Sequence, residues 1–208
     1  MNKAMTLTYE VGTGLYINLT NACTNSCDFC IRNNGDGAYG STSLWLLREP
    51  SASEVIDSVM ARDLSKYTEV VFCGYGEPTI RLDVMLEVAG AIKNISPKLP
   101  IRVNTNGHTE LIHGDGAASR FCGLIDVVSI SLNTPNAKKY NDICHPVYKE
   151  KAFPALISFA KNVKNYVQKT LFSVVGDTLT KEELSECQSI ADGCGVELRV
   201  REYISGES

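Results

Sequence analysis

Six short apolar runs alternate with longer, helix-sized stretches, and that alternation leaves few folds open. The runs are residues 14–19 (GLYINL), 69–73 (EVVFC), 101–105 (IRVNT), 127–132 (VVSISL), 170–175 (TLFSVV) and 197–201 (ELRVR). They are rich in Val, Ile, Phe and Leu and end in turn-forming residues, so they read as strands. No two lie close enough for a tight hairpin. Between them, residues 51–62 open with a possible capping box, Ser51 and Glu54. Residues 82–93 carry apolar side chains at Val84, Met85, Val88, Ala89 and Ile92, and residues 152–167 and 181–191 have similar periodicity. Strand–helix–strand order, repeated, predicts right-handed crossovers and a parallel sheet.

The strand faces select among parallel folds. Ser129, Ser131 and Asn133 share one face, and Val128, Ile130 and Leu132 the other. Arg102 and Asn104 oppose Ile101 and Val103, Arg199 and Arg201 oppose Leu198 and Val200, and Tyr16 and Asn18 oppose Leu15, Ile17 and Leu19. A parallel sheet sandwiched between helices is apolar on both faces. One polar face predicts a ligand cavity instead. An eight-unit barrel takes about 250 residues, so six units need roughly 190. The expectation is an α/β fold, a partial, TIM-like (β/α)6 barrel with helices outside, forming one domain over residues 1–208. The Gly-rich stretch 33–43 (NNGDGAYGSTS) reads as a mobile loop over its mouth.

Composition narrows the function. With 44% hydrophobic and 21% charged residues the chain has an ordinary globular balance. A formal net charge of −4 argues against nucleic acid or an anionic membrane as the main partner. No run approaches the roughly 18 apolar residues of a membrane span. Residues 1–10 lack the apolar core of a secretory signal. Eight cysteines in 208 residues are too sparse for a disulfide scaffold, and a reducing cytosol is the expected compartment.

Three of those cysteines carry the chemistry. Cys23, Cys27 and Cys30 form a C-x3-C-x2-C motif directly after the first run. Three thiolates so close in sequence can converge on one metal centre. A structural zinc site takes four ligands, and His108, His113 and His145 are distant in sequence. A four-iron cluster on three thiolates leaves one iron open to a ligand. Gly74-Tyr75-Gly76-Glu77-Pro78 follows the second run and Asn104-Thr105-Asn106-Gly107 the third. Glycines there admit a ligand close to the backbone, although the Gly74–Pro78 segment taken alone reads more simply as a plain strand-to-helix turn. All these groups lie at carboxyl ends of strands, where such folds bind ligands.

With the cysteine motif, the GYGEP segment and the TNG turn in place, the chain resembles the radical S-adenosylmethionine (SAM) superfamily over residues 15–203. The resemblance implies a [4Fe–4S] cluster and S-adenosylmethionine in a partial (β/α)6 barrel. Cys23, Cys27 and Cys30 would ligate three irons, leaving the fourth for the methionyl amino and carboxylate groups. Phe29 would pack against adenine. Gly74, Gly76, Glu77 and Pro78 would hold the methionyl amino group. Asn104, Asn106, Ser131 and Asn133 would take the ribose and carboxylate, and Val175 would contact adenine. The implied chemistry is a 5′-deoxyadenosyl radical that abstracts hydrogen from a substrate yet to be identified. The implied electron donor is a flavodoxin or ferredoxin. Tyr75 departs from the family pattern, where Gly is common. The segments 15–32 (LYINLTNACTNSCDFCIR), 44–50 (LWLLREP), 173–179 (SVVGDTL) and 199–203 (RVREY) resemble the small TatD-associated group. Such a chain is not expected to carry a C-terminal auxiliary-cluster domain. Glycyl-radical activases and deazaguanine-forming synthases are similarly small members. A non-enzymatic iron–sulfur or zinc protein is the reading from another class, disfavoured because it needs neither an open iron nor a polar strand face.

The other groups have plainer readings. Arg199 and Arg201 suit a carboxylate or phosphate on cofactor or substrate, or salt bridges to Glu197 or Glu202. Cys122, Cys144, Cys187 and Cys194 read as buried small hydrophobes. Cys73 borders the glycine motif, near the expected cofactor. His108 and His145 read as surface or loop residues.

Overall fold

The computed structural model describes residues 2–38 and 40–202. Its sheet has seven strands in sequence order: β1 (Thr8–Val11), β2 (Gly14–Ile17), β3 (Glu69–Phe72), β4 (Ile101–Thr105), β5 (Val127–Ser131), β6 (Lys169–Val175) and β7 (Glu197–Arg201). From β2 to β7 every pairing is parallel. The two edge strands do not pair with each other, so the barrel stays open, as six units require.

β1 corrects the expectation of no hairpin. It pairs antiparallel with β2 across Gly12 and Thr13, with Val11 opposite Gly14. Gly12 takes the left-handed φ of +58° that a two-residue hairpin turn demands. Its signal was the TYEV-GT-GLYI pattern, two β-forming runs joined by a glycine turn. Residue 203, in the last of the TatD-like segments, lies outside the described residues.

Helices α1 (Ala52–Met60), α2 (Leu82–Ile95), α3 (Thr109–His113), α4 (Ala137–Cys144), α5 (Ala152–Val163) and α6 (Lys181–Cys194) connect the strands. The Ser51–Glu54 capping box forms in both directions, and Thr180 with Glu183 forms another at α6. α5 stops four residues short of the expected end. α3 and α4 were not expected, being too short for a clear apolar period.

The outer face of the sheet is the core. Leu15, Ile17, Val70, Phe72, Ile101, Val103, Val128, Ile130, Phe172 and Val174 are fully buried against Val55, Met85, Ile92, Leu156 and Phe159 of the helices. Burial of each such side chain contributes roughly 1.5–3 kcal/mol. The inner face is polar as the alternation implies: Asn104 pairs in register with Ser129, Ser131 with Ser173, and Ser173 with Arg199. At the amino ends of the strands Arg102 closes the floor with a two-pronged ion pair to Glu69, at 2.9 and 2.7 Å. A second apolar cluster of Tyr9, Leu44 and Tyr75, with Tyr16 and Trp45, walls the β1 side. No helix among the described residues is long and apolar enough to cross a membrane.

Candidate functional site

The cysteine loop leaves the carboxyl end of β2 and is clamped from both sides. On one side the Thr20 hydroxyl donates to Glu49 Oε1 at 2.7 Å. Asn21 and the Leu46 backbone exchange two hydrogen bonds, at 2.8 and 2.9 Å. On the other, Ser26 N–H donates to the Cys144 carbonyl and Asp28 N–H to that of Ile143, both at the end of α4, at 2.9 and 3.0 Å. These contacts give the LWLLREP segment a physical role: it braces the loop.

Cys23, Cys27 and Cys30 are free and partly exposed. Burial pushes the Cys23 thiol up to about 12, with Glu77 adding to the shift. Cys27 is raised first by its hydrogen bond with the Cys144 side chain and then by burial, and Cys30 by burial. The Arg32 guanidinium opposes the shift at all three. Among the described residues no three His, Cys, Asp or Glu side chains gather at metal-ligating distance. Hydrogen bonds to the 44–50 segment and to the end of α4 hold the loop.

The second turn packs against this loop. A Cβ at Gly76 would lie 2.3 Å from the Thr20 carbonyl oxygen and 2.5 Å from that of Ala22. The Glu77 N–H donates to the same Ala22 carbonyl at 2.8 Å. Only glycine admits this approach. A Cβ at Gly74 would meet Asn18 Oδ1, a buried oxygen with no hydrogen-bond partner. The Glu77 carboxylate is fully buried and turned inward. Its Oε1 accepts from Thr79 N–H, the Thr79 hydroxyl and the Thr105 hydroxyl at 3.0, 2.7 and 2.8 Å, and its Oε2 from Asn106 N–H at 2.7 Å. Burial raises its pKa against those donors. Glu77 thus stitches the turn after β3 to the turn after β4. Pro78 opens the short 3-10 turn Pro78–Arg81.

A buried polar chain ties the third turn to the cysteines. Asn106 Nδ2 donates to the Thr24 hydroxyl at 2.7 Å and reaches Cys23 Sγ at 3.8 Å. His108 is fully buried, which corrects the surface reading. Its Nδ1 lies 2.9 Å from the Thr24 hydroxyl and its Nε2 3.4 Å from the Tyr140 hydroxyl, which also accepts from Asn25 Nδ2 at 2.9 Å. Burial pushes His108 down to about 4, so it is a neutral ring at pH 7. His145 is the expected half-exposed residue, 2.8 Å from Asp28. Thr24, Asn25, His108 and Tyr140 were missed as site residues. The available signal was the small polar run around Cys23 and the His directly after the TNG turn.

The remaining candidates divide. Asn104 and Ser131 lie on the inner face, with Asn104 Oδ1 accepting from Arg102 at 2.8 Å. Asn133 is buried and donates to the Cys144 sulfur at 3.3 Å. The Val175 carbonyl accepts from the Thr178 hydroxyl. Phe29 packs, partly buried, against the main core. Arg201 stands opposite Val175, with a buried Nε that has no partner. Neither Arg199 nor Arg201 forms a salt bridge among the described residues, and Glu197 pairs with Lys169 instead. Cys144, Cys187 and Cys194 are buried as expected, whereas Cys122 is exposed.

These residues fit an iron–sulfur cluster and a ligand on its open side. The donor set is three free cysteines on one braced loop. Cys23 Sγ already accepts from Asn25 N–H at 3.4 Å. Beside it lie the close backbone approach at Gly76 and the unsatisfied Asn18 oxygen. Bound iron would deprotonate the thiols outright.

Comparison with known proteins agrees. SuiB of Streptococcus suis bound to its precursor peptide SuiA superposes with a TM-score of 0.68 at 18% identity, covering 92% of this chain and 39% of that one. A radical SAM methyltransferase from Sphaerobacter thermophilus gives 0.64 at 14% identity, covering 94% and 68%. Methylornithine synthase (PylB) gives 0.59 at 13%, covering 93% and 54%. The chain thus spans about two-fifths of the length of SuiB. No curated protein matches the sequence. The family model of the radical SAM superfamily matches residues 17–188, and with the whole cysteine loop and both glycine turns inside that span, this chain belongs to the radical SAM superfamily.

Proposed function

We propose that this enzyme cleaves S-adenosylmethionine reductively at a cluster held by Cys23, Cys27 and Cys30, and acts on a small or peptidyl substrate seated on the inner face of β4–β7. The observation that carries the reading is the meeting of the cysteine loop, the Gly76 turn and the Asn106 turn at the carboxyl ends of β2, β3 and β4, beside the polar inner face. When bound, the cluster supplies the electron that breaks a carbon–sulfur bond of S-adenosylmethionine.

The chain's own residues position and shield. The Thr24–His108–Tyr140–Asn25 chain fixes the loop's inner wall, and the neutral His108 adds no charge next to the sulfurs. Glu77 holds the two glycine-bearing turns in register, so its role is to shape the cradle. Asn104, Ser129, Ser131 and Ser173 offer amide and hydroxyl groups, and Arg199 and Arg201 offer cations to an anionic group. Superfamily members need a reductant as well. An acidic flavodoxin or ferredoxin would meet that need.

The test is anaerobic reconstitution with iron and sulfide, then reduction with S-adenosylmethionine present and assay for 5′-deoxyadenosine. Product above a Cys27→Ala background supports the reading. Wild-type iron content and product in Cys27→Ala would overturn it.

A further inference from the structure

The inner face of β5–β7 carries cations and hydroxyls that the fold leaves without partners. Ser131, Ser173 and Arg199 lie side by side in register across the three strands, and Arg201 follows two residues on, beside Val175. Ser129 stands two residues before Ser131 on the same face. Ser129 and Ser173 are 5% and 3% exposed, yet none of the three serine hydroxyls forms a hydrogen bond among the described residues. The Arg201 Nε is buried and unpartnered as well. Arg199, on the edge strand, is exposed. The only carboxylate within these three strands, that of Glu197, is engaged at their other end by Lys169 at 2.7 Å. A buried polar or charged group costs stability unless something pairs with it. A wall of such groups calls for a partner from outside the chain.

We propose that this wall seats a phosphate group of the substrate, gripped by Arg201 and Arg199 and hydrogen-bonded by Ser173 and Ser131. Alternate residues of a strand stand roughly 6.6 Å apart on one face, so two long guanidinium side chains can close on one group. Together they carry two positive charges, of which a carboxylate would neutralise one. A phosphate monoester carries close to two negative charges at pH 7 and three terminal oxygens, enough for two guanidinium forks and the hydroxyls. β7 is the strand farthest in sheet order from β2, whose carboxyl end carries the cysteine loop. That separation assigns the anion to the substrate and not to the methionyl carboxylate expected at the open iron. The inference names a substrate class for the inner-face site proposed above and rests on that reading.

The probe is inorganic phosphate, titrated calorimetrically into the reconstituted full chain at fixed ionic strength, without and with S-adenosylmethionine. Acetate is the comparison titrant. Phosphate should bind more tightly than acetate, and saturating S-adenosylmethionine should leave its binding unchanged. Arg201→Gln should weaken phosphate about tenfold, as loss of a charge-assisted hydrogen bond does, and Ser173→Ala severalfold. Neither variant should be less stable than wild type in phosphate-free urea unfolding, because neither side chain has a hydrogen-bond partner to lose. If Arg201→Gln fails to fold, Ser173→Ala against wild type decides. Phosphate bound no more tightly than acetate would overturn the inference. So would displacement by S-adenosylmethionine, which would give the arginines to the cofactor, or equal phosphate affinity in wild type and the variants. Binding is read without turnover, so a chain that takes phosphate as expected but forms no 5′-deoxyadenosine loses the proposed reaction and keeps the phosphate site.

Discussion

The Tyr75 hydroxyl donates to the Gly35 carbonyl at 2.9 Å, joining the second turn of the site to the Gly-rich loop forty residues earlier. Tyr75 is buried, with Trp45 edge-on at a centroid distance of 5.1 Å. Leu44 N–H donates to the Asp36 carbonyl at 2.7 Å in the same loop. The stretch expected to be mobile is thus tied at Gly35 to the residue that departs from the family pattern. Tyr75→Phe keeps the ring and loses the tether. It should cost about 1 kcal/mol and speed hydrogen exchange at residues 34–38, with exchange in β3 and α2 unchanged. Unaltered exchange in that loop would show that the hydroxyl does not hold it.

Much of this arrangement was legible beforehand because it depends on periods and spacings. The polar inner face followed from Ser129, Ser131 and Asn133 alternating with Val128, Ile130 and Leu132. The six parallel strands followed from apolar runs at crossover distance. What sequence pattern did not reveal depends on which side chains long-range folding brings together. The spacing of Cys23, Cys27 and Cys30 says nothing of Cys144. His108 read as a loop residue because burial beside Thr24 and Tyr140 is a tertiary fact. The carboxylate of Glu77 looked free to meet an ammonium group, yet four donors from its own and the next turn surround it.

Gly76 makes the cradle testable without touching a cysteine. The methyl group of Gly76→Ala would collide with backbone oxygens of Thr20 and Ala22, which cannot swing aside as a side chain would. Overpacking of this kind costs about 1–3 kcal/mol, and here it pushes the cysteine loop away from the sheet. Iron bound per chain after reconstitution should fall severalfold while the far-ultraviolet circular dichroism stays that of the wild type. Full iron loading in Gly76→Ala would mean the close approach is dispensable.

His108 should leave a mark on stability against pH. Its folded pKa, about 4, lies below the ordinary 6.5. The unfolded chain therefore binds the proton first as pH falls. The stability held by neutral His108 is complete above pH 6.5, drains away between 6.5 and 4, and is gone below that. A shift of this size corresponds to about 3 kcal/mol. His108→Gln should be less stable at pH 7 and show a correspondingly shallower decline over that window in urea unfolding. An equal slope in wild type and variant would place the proton uptake elsewhere.

The floor of the inner face offers the contrasting case, a polar cluster that supports the fold and not the site. Arg102 forks onto Glu69, and its other nitrogen donates to Asn104. Burial works against the charged guanidinium, but the Glu69 carboxylate outweighs it and holds the Arg102 pKa above the usual range. Arg102→Met strands a partly exposed carboxylate, and since Glu69 retains some water its cost should be about 2 kcal/mol, below that of a fully buried pair. Adding Glu69→Gln should recover much of that loss, because the double variant leaves no charge unpaired. Urea unfolding of the two single variants and the double closes the cycle. Iron loading of the folded fraction should stay at the wild-type level throughout, since the cysteine loop hangs from the opposite ends of the strands. A double variant no more stable than Arg102→Met would show that packing of the arginine stem, and not the charge pair, holds the floor.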